Sequence, residues 1–148
     1  MDHQVLEEIS ITLNADARNY TVFLQCLEVP LSGAAGKEAI IKMALGAEAT
    51  LGGIQVVEKA SVWPIIKEAL FYAGDDGAGP AAATIKSEKL FALMGVLEDE
   101  VRDLVGAAST SESFWLQDGH PAYPVFWDFA FLFTRNASAS ILIGSSSD

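Results

Sequence analysis

From Val125 to Gly144 the chain reads VFWDFAFLFTRNASASILIG, two apolar runs separated by a short polar break. In the first run Trp127, Phe129, Phe131 and Phe133 recur at period two. Phe126, Asp128, Ala130 and Leu132 fill the alternate positions. That pattern predicts a strand over 125–133 covered on both faces. Ile141, Leu142 and Ile143 supply a return strand over 139–144, and Arg135-Asn136-Ala137-Ser138 predicts an antiparallel turn with Asn136 at positive φ. A two-stranded ribbon alone is marginal in water, so other elements must cover it. The hairpin is expected at the centre of a sheet, because an open apolar strand of this kind invites aggregation.

Upstream the period is mostly helical. Val5, Leu6, Ile9 and Leu13 predict a helix over Asp2 to Leu13, with extended chain near Thr12. Asn14 or Asp16 is then placed to cap a second element. Ala17, Tyr20, Leu24, Leu27 and Leu31 fit helical spacing there, while Tyr20 to Val29 also fits a strand, and Pro30 ends either one. After a loop at 32–36, Lys37 to Leu51 predicts a helix with Ile40, Ile41, Ala44, Leu45 and Ala47 inward and Gly52-Gly53 as its stop. Ile54 to Ala60 is short and either helical or extended. Pro64 marks a helix start, since its missing N–H costs nothing in a first turn, and Gly74 marks the end.

Asp75-Asp76-Gly77-Ala78-Gly79-Pro80 predicts a hinge-like loop. Ser87 to Val105 carries the most continuous helical face in the chain, from Leu90 through Leu93, Met94, Leu97, Val101 and Leu104. Ser87 is its cap and Gly106 its stop. A short strand at 113–116 and a turn-rich passage at 117–124 lead into the hairpin. Helices first and strands last predict an α+β fold: N-terminal helices packed on a small C-terminal antiparallel sheet that contains the 125–133/139–144 hairpin.

The 148 residues suit one domain, 1–148, large enough to bury a core without disulfides. Cys26 is the only cysteine and lies in the apolar stretch VFLQCLEV, as a buried hydrophobe would. No apolar run approaches the ~20 residues that span a bilayer. The acidic start MDHQVLEEIS lacks the basic and apolar segments of a signal peptide, so a cytoplasmic protein is expected.

Nine Lys+Arg against twenty Asp+Glu give a net charge of −11, spread along the chain rather than gathered in a tail. Such a field repels phosphate backbones and attracts basic proteins, so no nucleic-acid partner and no membrane partner is expected. The acidic helix face of Glu98, Asp99 and Asp103, or else the acidic N-terminal segment, is the expected partner-binding surface, with Glu98 and Arg102 at i,i+4.

Catalytic motifs are missing. The glycine-rich patches match neither a phosphate loop nor a dinucleotide fingerprint, and there is no Gly-x-Ser-x-Gly elbow. Two histidines and one cysteine are too few for a Cys/His zinc site, and 75–80 lacks the alternating oxygen ligands of a calcium loop. No metal and no cofactor is therefore expected. The one constellation with base-catalysis chemistry is Asp118, His120 and Asp128, an imidazole between two carboxylates. Asp118-Gly119-His120-Pro121 is equally an ordinary turn, and no catalytic set is assigned.

Two functional classes fit these residues. The first is an acidic, non-catalytic interaction protein of the immunity or antitoxin kind that neutralises a basic partner. The second is a small enzyme or ligand-binding domain built on Asp118 and His120 with aromatic walls from Trp115, Tyr123 and Trp127. Net charge and the lack of catalytic motifs favour the first.

Overall fold

A computed structural model describes residues 1–33 and 35–148, so the loop expected at 32–36 lies partly outside the described residues, at Ala34. The elements in chain order are α1 (His3–Asn14), β1 (Thr21–Pro30), α2 (Lys37–Leu45), β2 (Thr50–Val56), α3 (Lys59–Leu70), α4 (Ala82–Ile85), α5 (Glu88–Ala107), β3 (Thr110–Asp118), β4 (Trp127–Thr134) and β5 (Ser138–Ser147). All five strands form one antiparallel sheet in the order β1-β5-β4-β3-β2. The fold is α+β as expected. The sheet is larger than the C-terminal third can supply, however, and helices alternate with its first two strands.

The aromatic hairpin forms as its alternation predicts, with β4 and β5 paired from Trp127↔Ser146 to Thr134↔Ala139 in the sheet interior. Phe129, Phe131 and Phe133 face the layer of α1, α3 and α5, together with Val22, Cys26 and Leu142. Ala130, Leu132, Ile141 and Ile143 face the other side, under Ile40 and Ile41 of α2. Two details differ. Asn136 does not have positive φ, which among the described non-glycine residues only Asp16 and Asn19 do. Phe126 lies before the strand and packs against Tyr20 and Tyr72 on the helix side instead of joining Ala130 and Leu132.

Of the two readings open for this stretch, a helix through Ala17 to Leu31 or a strand over Tyr20 to Val29, the strand forms. Ten residues of β1 pair with β5, from Thr21↔Ser147 to Pro30↔Ser138. Asn14 does not cap a helix there. Its side chain accepts from the Val22 N–H at 2.7 Å and donates to the Val22 carbonyl at 3.3 Å, which ties the end of α1 to the start of β1. The helix predicted over 37–51 stops early at Gly46, φ +112, and the chain turns into β2. Gly52 and Gly53 lie inside β2, where the indole of Trp115 covers them so closely that a Cβ at either would collide with it. Pro64 falls inside α3, not at its start, because α3 begins at Lys59 after Glu58.

The longest helix keeps its expected start, with Ser87 accepting from Leu90 N–H at 3.1 Å, but passes through Gly106 to Ala107. The loop at 75–80 is fastened, not hinge-like. Arg18 and Gly79 exchange backbone hydrogen bonds at 2.9 and 2.8 Å, and Asn19 donates to the Gly77 carbonyl at 3.1 Å.

One charge is buried in the sheet. The Glu112 side chain, 4% exposed, points to the α2 side and pairs with Lys37 at the start of α2, while its Oε2 has no partner. Among the described residues no helix is long and apolar enough to cross a membrane.

Candidate functional site

Sheet pairing stops short between two interior strands. β3 and β4 are hydrogen-bonded only from Thr110↔Thr134 to Ser113↔Phe131. Beyond that point β3 continues along β2 as far as Asp118↔Thr50, and β4 follows β5 back to Trp127↔Ser146. Phe114 to Asp118 and Trp127 to Ala130 therefore face each other across a split, each strand paired on one side only.

Two fastenings hold the split open. At the end of β3, Gly119 (φ +74) packs so closely on the Glu48 carbonyl that a Cβ would collide with it, which draws this end toward the α2–β2 connection. Before β4 the chain is drawn the other way, toward β5. The fully buried Ser145 donates its hydroxyl to the Ala122 carbonyl at 3.0 Å, and the Ser146 carbonyl accepts from Val125 N–H at 2.7 Å.

Around this split lie three hollows, and Asp128 lines all of them. One of about 440 Å³ is bounded by Leu116 to His120, Tyr123 and Asp128. A second, about 320 Å³, lies against α3 between Glu68, Tyr72, Phe126 and Trp127. The third, about 220 Å³, is the slit itself, between Ser113 to Trp115 and Asp128 to Phe131, with Ile65 of α3 over it. Glu68, Asp118 and Asp128 contribute carboxylates to these walls, and among the described residues no lysine or arginine lines any of the three.

The aromatic wall is braced from behind. Trp127 Nε1–H donates to the Tyr20 hydroxyl at 2.9 Å, and burial pushes the Tyr20 phenol up to about 12. The Tyr20, Tyr72 and Phe126 rings stand 5.7 to 6.1 Å apart, and Trp127 stacks on Phe129 at 5.9 Å. These are ordinary aromatic packing distances.

The structure thus brings Asp118, His120 and Asp128 to one hollow, together with Tyr123. It does not join them by hydrogen bonds. Asp118 accepts from its own neighbour, Gly119 N–H, at 2.9 Å, and His120 Nδ1 accepts from Ala122 N–H at 3.0 Å. The imidazole proton consequently sits on Nε2, facing no protein acceptor within hydrogen-bond reach among the described residues. Burial lowers the His120 pKa from its ordinary value, and the negative charge of Asp128 opposes that shift without reversing it. A neutral imidazole shares the hollow with two carboxylates and is hydrogen-bonded to neither.

Asp128 itself is solvent-exposed. Its strand parity matches Ala130 and Leu132, but it stands at the open end of the sheet, beyond the cover of α2, and pays no burial cost. Among the described residues no three His, Cys, Asp or Glu side chains gather closely enough to hold a metal ion.

On α5 the three expected partner-binding acids are not equivalent. Glu98 is tied to Arg102 at 2.7 Å, while Asp99 and Asp103 are exposed. Phe91 and Val96 are exposed along the same helix, so its outer surface is not uniformly acidic. Sequence reasoning missed Glu68, Tyr72 and Phe126 as cleft residues. Glu68 and Tyr72 reach the split only through the packing of α3 beside β4, while Phe126 stands just before β4, and no local motif marks them. Comparison with protein-family models, with curated proteins and with solved structures finds no match to this chain.

Proposed function

We propose that this protein is a non-catalytic interaction protein of the immunity or antitoxin kind, which captures a basic protein partner in the cleft between β3 and β4. The observation that carries the reading is the composition of the walls around that cleft: three hollows that share Asp128, with carboxylates and aromatic rings in their walls and, among the described residues, no lysine or arginine. The net charge of −11 adds long-range attraction for a cationic partner. A guanidinium or ammonium group entering the cleft meets carboxylates and ring faces together, the two environments that stabilise it best when water is excluded. Asp99 and Asp103 on α5 then steer the encounter and do not form the docking site.

The test is a titration of the isotope-labelled protein with a short peptide of alternating arginine and valine, followed by backbone amide and indole NMR signals at low and moderate salt. The expected result is shifts at Trp115, His120 and Asp128, weakened by Asp128→Lys and by added salt. Shifts confined to Asp99 and Asp103, or none at any salt, overturn the cleft as the docking site.

A small-molecule reading uses the same 440 Å³ hollow, because Asp118, His120 and Tyr123 all line it. It predicts binding of a compact polar ligand with no dependence on net charge, and the salt series above separates the two.

A further inference from the structure

We infer that the partner segment enters as an added β-strand, pairing with the free edge of β3 at Phe114 to Asp118, and that its side chains alternate basic and apolar. This rests on the cleft reading above and specifies how the cleft is filled.

Backbone geometry supplies the first argument. A strand with a neighbour on one side only presents N–H and C=O groups to the other, ready to pair with another chain. β3 and β4 both do so within the split, but the two edges are not equivalent. The roomiest hollow runs alongside three consecutive β3 residues, Leu116, Gln117 and Asp118, whereas β4 reaches it only through Asp128. An incoming strand would therefore lie along β3, the edge that borders the hollow for longest, with Asp128 across from it.

Parity supplies the second. Phe114 and Leu116 face the α2 side of the sheet, as does Asp128 with Ala130, and past a register shift in the β2 pairing Asp118 lines the same hollow as Asp128. On the opposite side the slit is walled by Trp115 and Ile65. Successive side chains of an added strand point alternately to these two environments. Every second residue meets the carboxylate pair, and the residues between meet indole and aliphatic surface. A slip of one residue would reverse both sets, which gives the cleft a preference for pattern beyond net charge. A second copy of this chain is a poor occupant, because it brings another −11 of charge to a carboxylate-lined opening.

The discriminating probes are peptides, so the protein keeps its fold throughout. The alternating arginine–valine peptide is compared with a block peptide of the same composition and with alternating peptides N-methylated at every second residue, in either phase. Strand addition predicts slowed amide exchange within Phe114 to Asp118 on binding. It also predicts weaker binding of the block peptide, and a loss of about tenfold or more for one N-methylation phase but not the other. If the peptide shifts Asp128 and Trp115 yet tolerates both methylation phases equally, strand addition is wrong and side-chain capture in the cleft stands. If no cleft signal moves, both the inference and the reading beneath it fail. Protection of the same amides by raising protein concentration without peptide would make a second copy the occupant and overturn the basic segment.

Discussion

The hydroxyl of Ser145 donates to the carbonyl of Ala122 at 3.0 Å, across the start of the aromatic strand. The contact joins the fully buried end of β5 to the passage that carries His120, and pins that passage to the sheet with no hydrogen bond from Asp128. Asp128 and Ser145 are cross-strand partners in register, yet the serine turns inward to the loop while the aspartate stays in solvent. A charged group at the mouth of a cleft remains free for a ligand only when another residue does the fastening.

From this division of labour, Ser145→Ala should destabilise the fold by ~1–2 kcal/mol, through a lost hydrogen bond and a carbonyl left without its partner. Asp128→Ala and Asp128→Asn should each lie within ~0.5 kcal/mol of the wild type, as exposed positions usually do. Urea unfolding of the three variants measures this. A destabilisation by Asp128→Ala as large as that of Ser145→Ala would place the pin at the aspartate after all.

Glycine substitutions divide in the same way. Gly119→Ala meets both a positive φ of +74° and the Glu48 carbonyl, so a loss of roughly 1–3 kcal/mol is expected. Gly106 lies in the last turns of α5 with no atom within 4 Å of where a Cβ would stand. Gly106→Ala should therefore stabilise by up to ~1 kcal/mol through helix propensity. Thermal melts that move in the same direction for both variants would contradict the assignment of the β3 fastening.

How much of this was legible in the sequence depends on the range of the interactions involved. α5 and the hairpin are local patterns, a continuous apolar face and a strict aromatic alternation, and both form nearly where they are read. β1 is not local. Tyr20, Leu24, Leu27 and Leu31 satisfy a helical spacing, and only pairing with β5, more than a hundred residues away in sequence, makes that stretch extended. Likewise Gly52-Gly53 reads as a helix stop because the ring that uses the missing side chains, Trp115, lies on another strand. The site was half visible. Asp118-Gly119-His120 and the aromatic residues are on display, but the split that joins them arises from Gly119 against Glu48 and Ser145 against Ala122, pairs that no motif links.

Glu112 and Lys37 offer a sharper energetic test. The carboxylate is buried in the sheet and Lys37, itself half exposed, is its ion-pair partner, so Lys37→Ala leaves a buried carboxylate without its partner, at a cost of about 1–3 kcal/mol. Replacing both, as Lys37→Met with Glu112→Leu, removes the charge along with its partner and should recover most of that loss. Unfolding free energies of the single and double variants decide it. Additive losses would mean that the two groups do not interact.

Cys26 should be silent in the folded protein. It is buried and burial pushes its thiol up to about 11, so almost no thiolate is present at pH 8 and the sulfur is shielded from reagents. A colorimetric disulfide reagent should register no rapid reaction with native protein and one thiol per chain in guanidinium. Fast native labelling would show that β1 leaves the sheet readily.

The last prediction concerns pH and the cleft. Burial holds the His120 pKa below its ordinary 6.5, so above that value the imidazole is neutral in both folded and unfolded chains and contributes no linkage. As pH falls below 6.5 the unfolded chain takes up a proton first, and the stability associated with neutral His120 is lost as pH passes down through the folded value. The same proton would place a positive charge beside Asp118 and Asp128, with Tyr123 the other titratable group lining that hollow. Capture of the arginine–valine peptide should therefore weaken as pH drops from 7.5 toward 5, and His120→Gln should flatten that decline while leaving affinity at pH 7.5 within about twofold. Calorimetric titration across that range at constant ionic strength gives the comparison. If wild type and His120→Gln decline in parallel, the carboxylates alone set the pH response and His120 is a turn residue with no influence on the cleft.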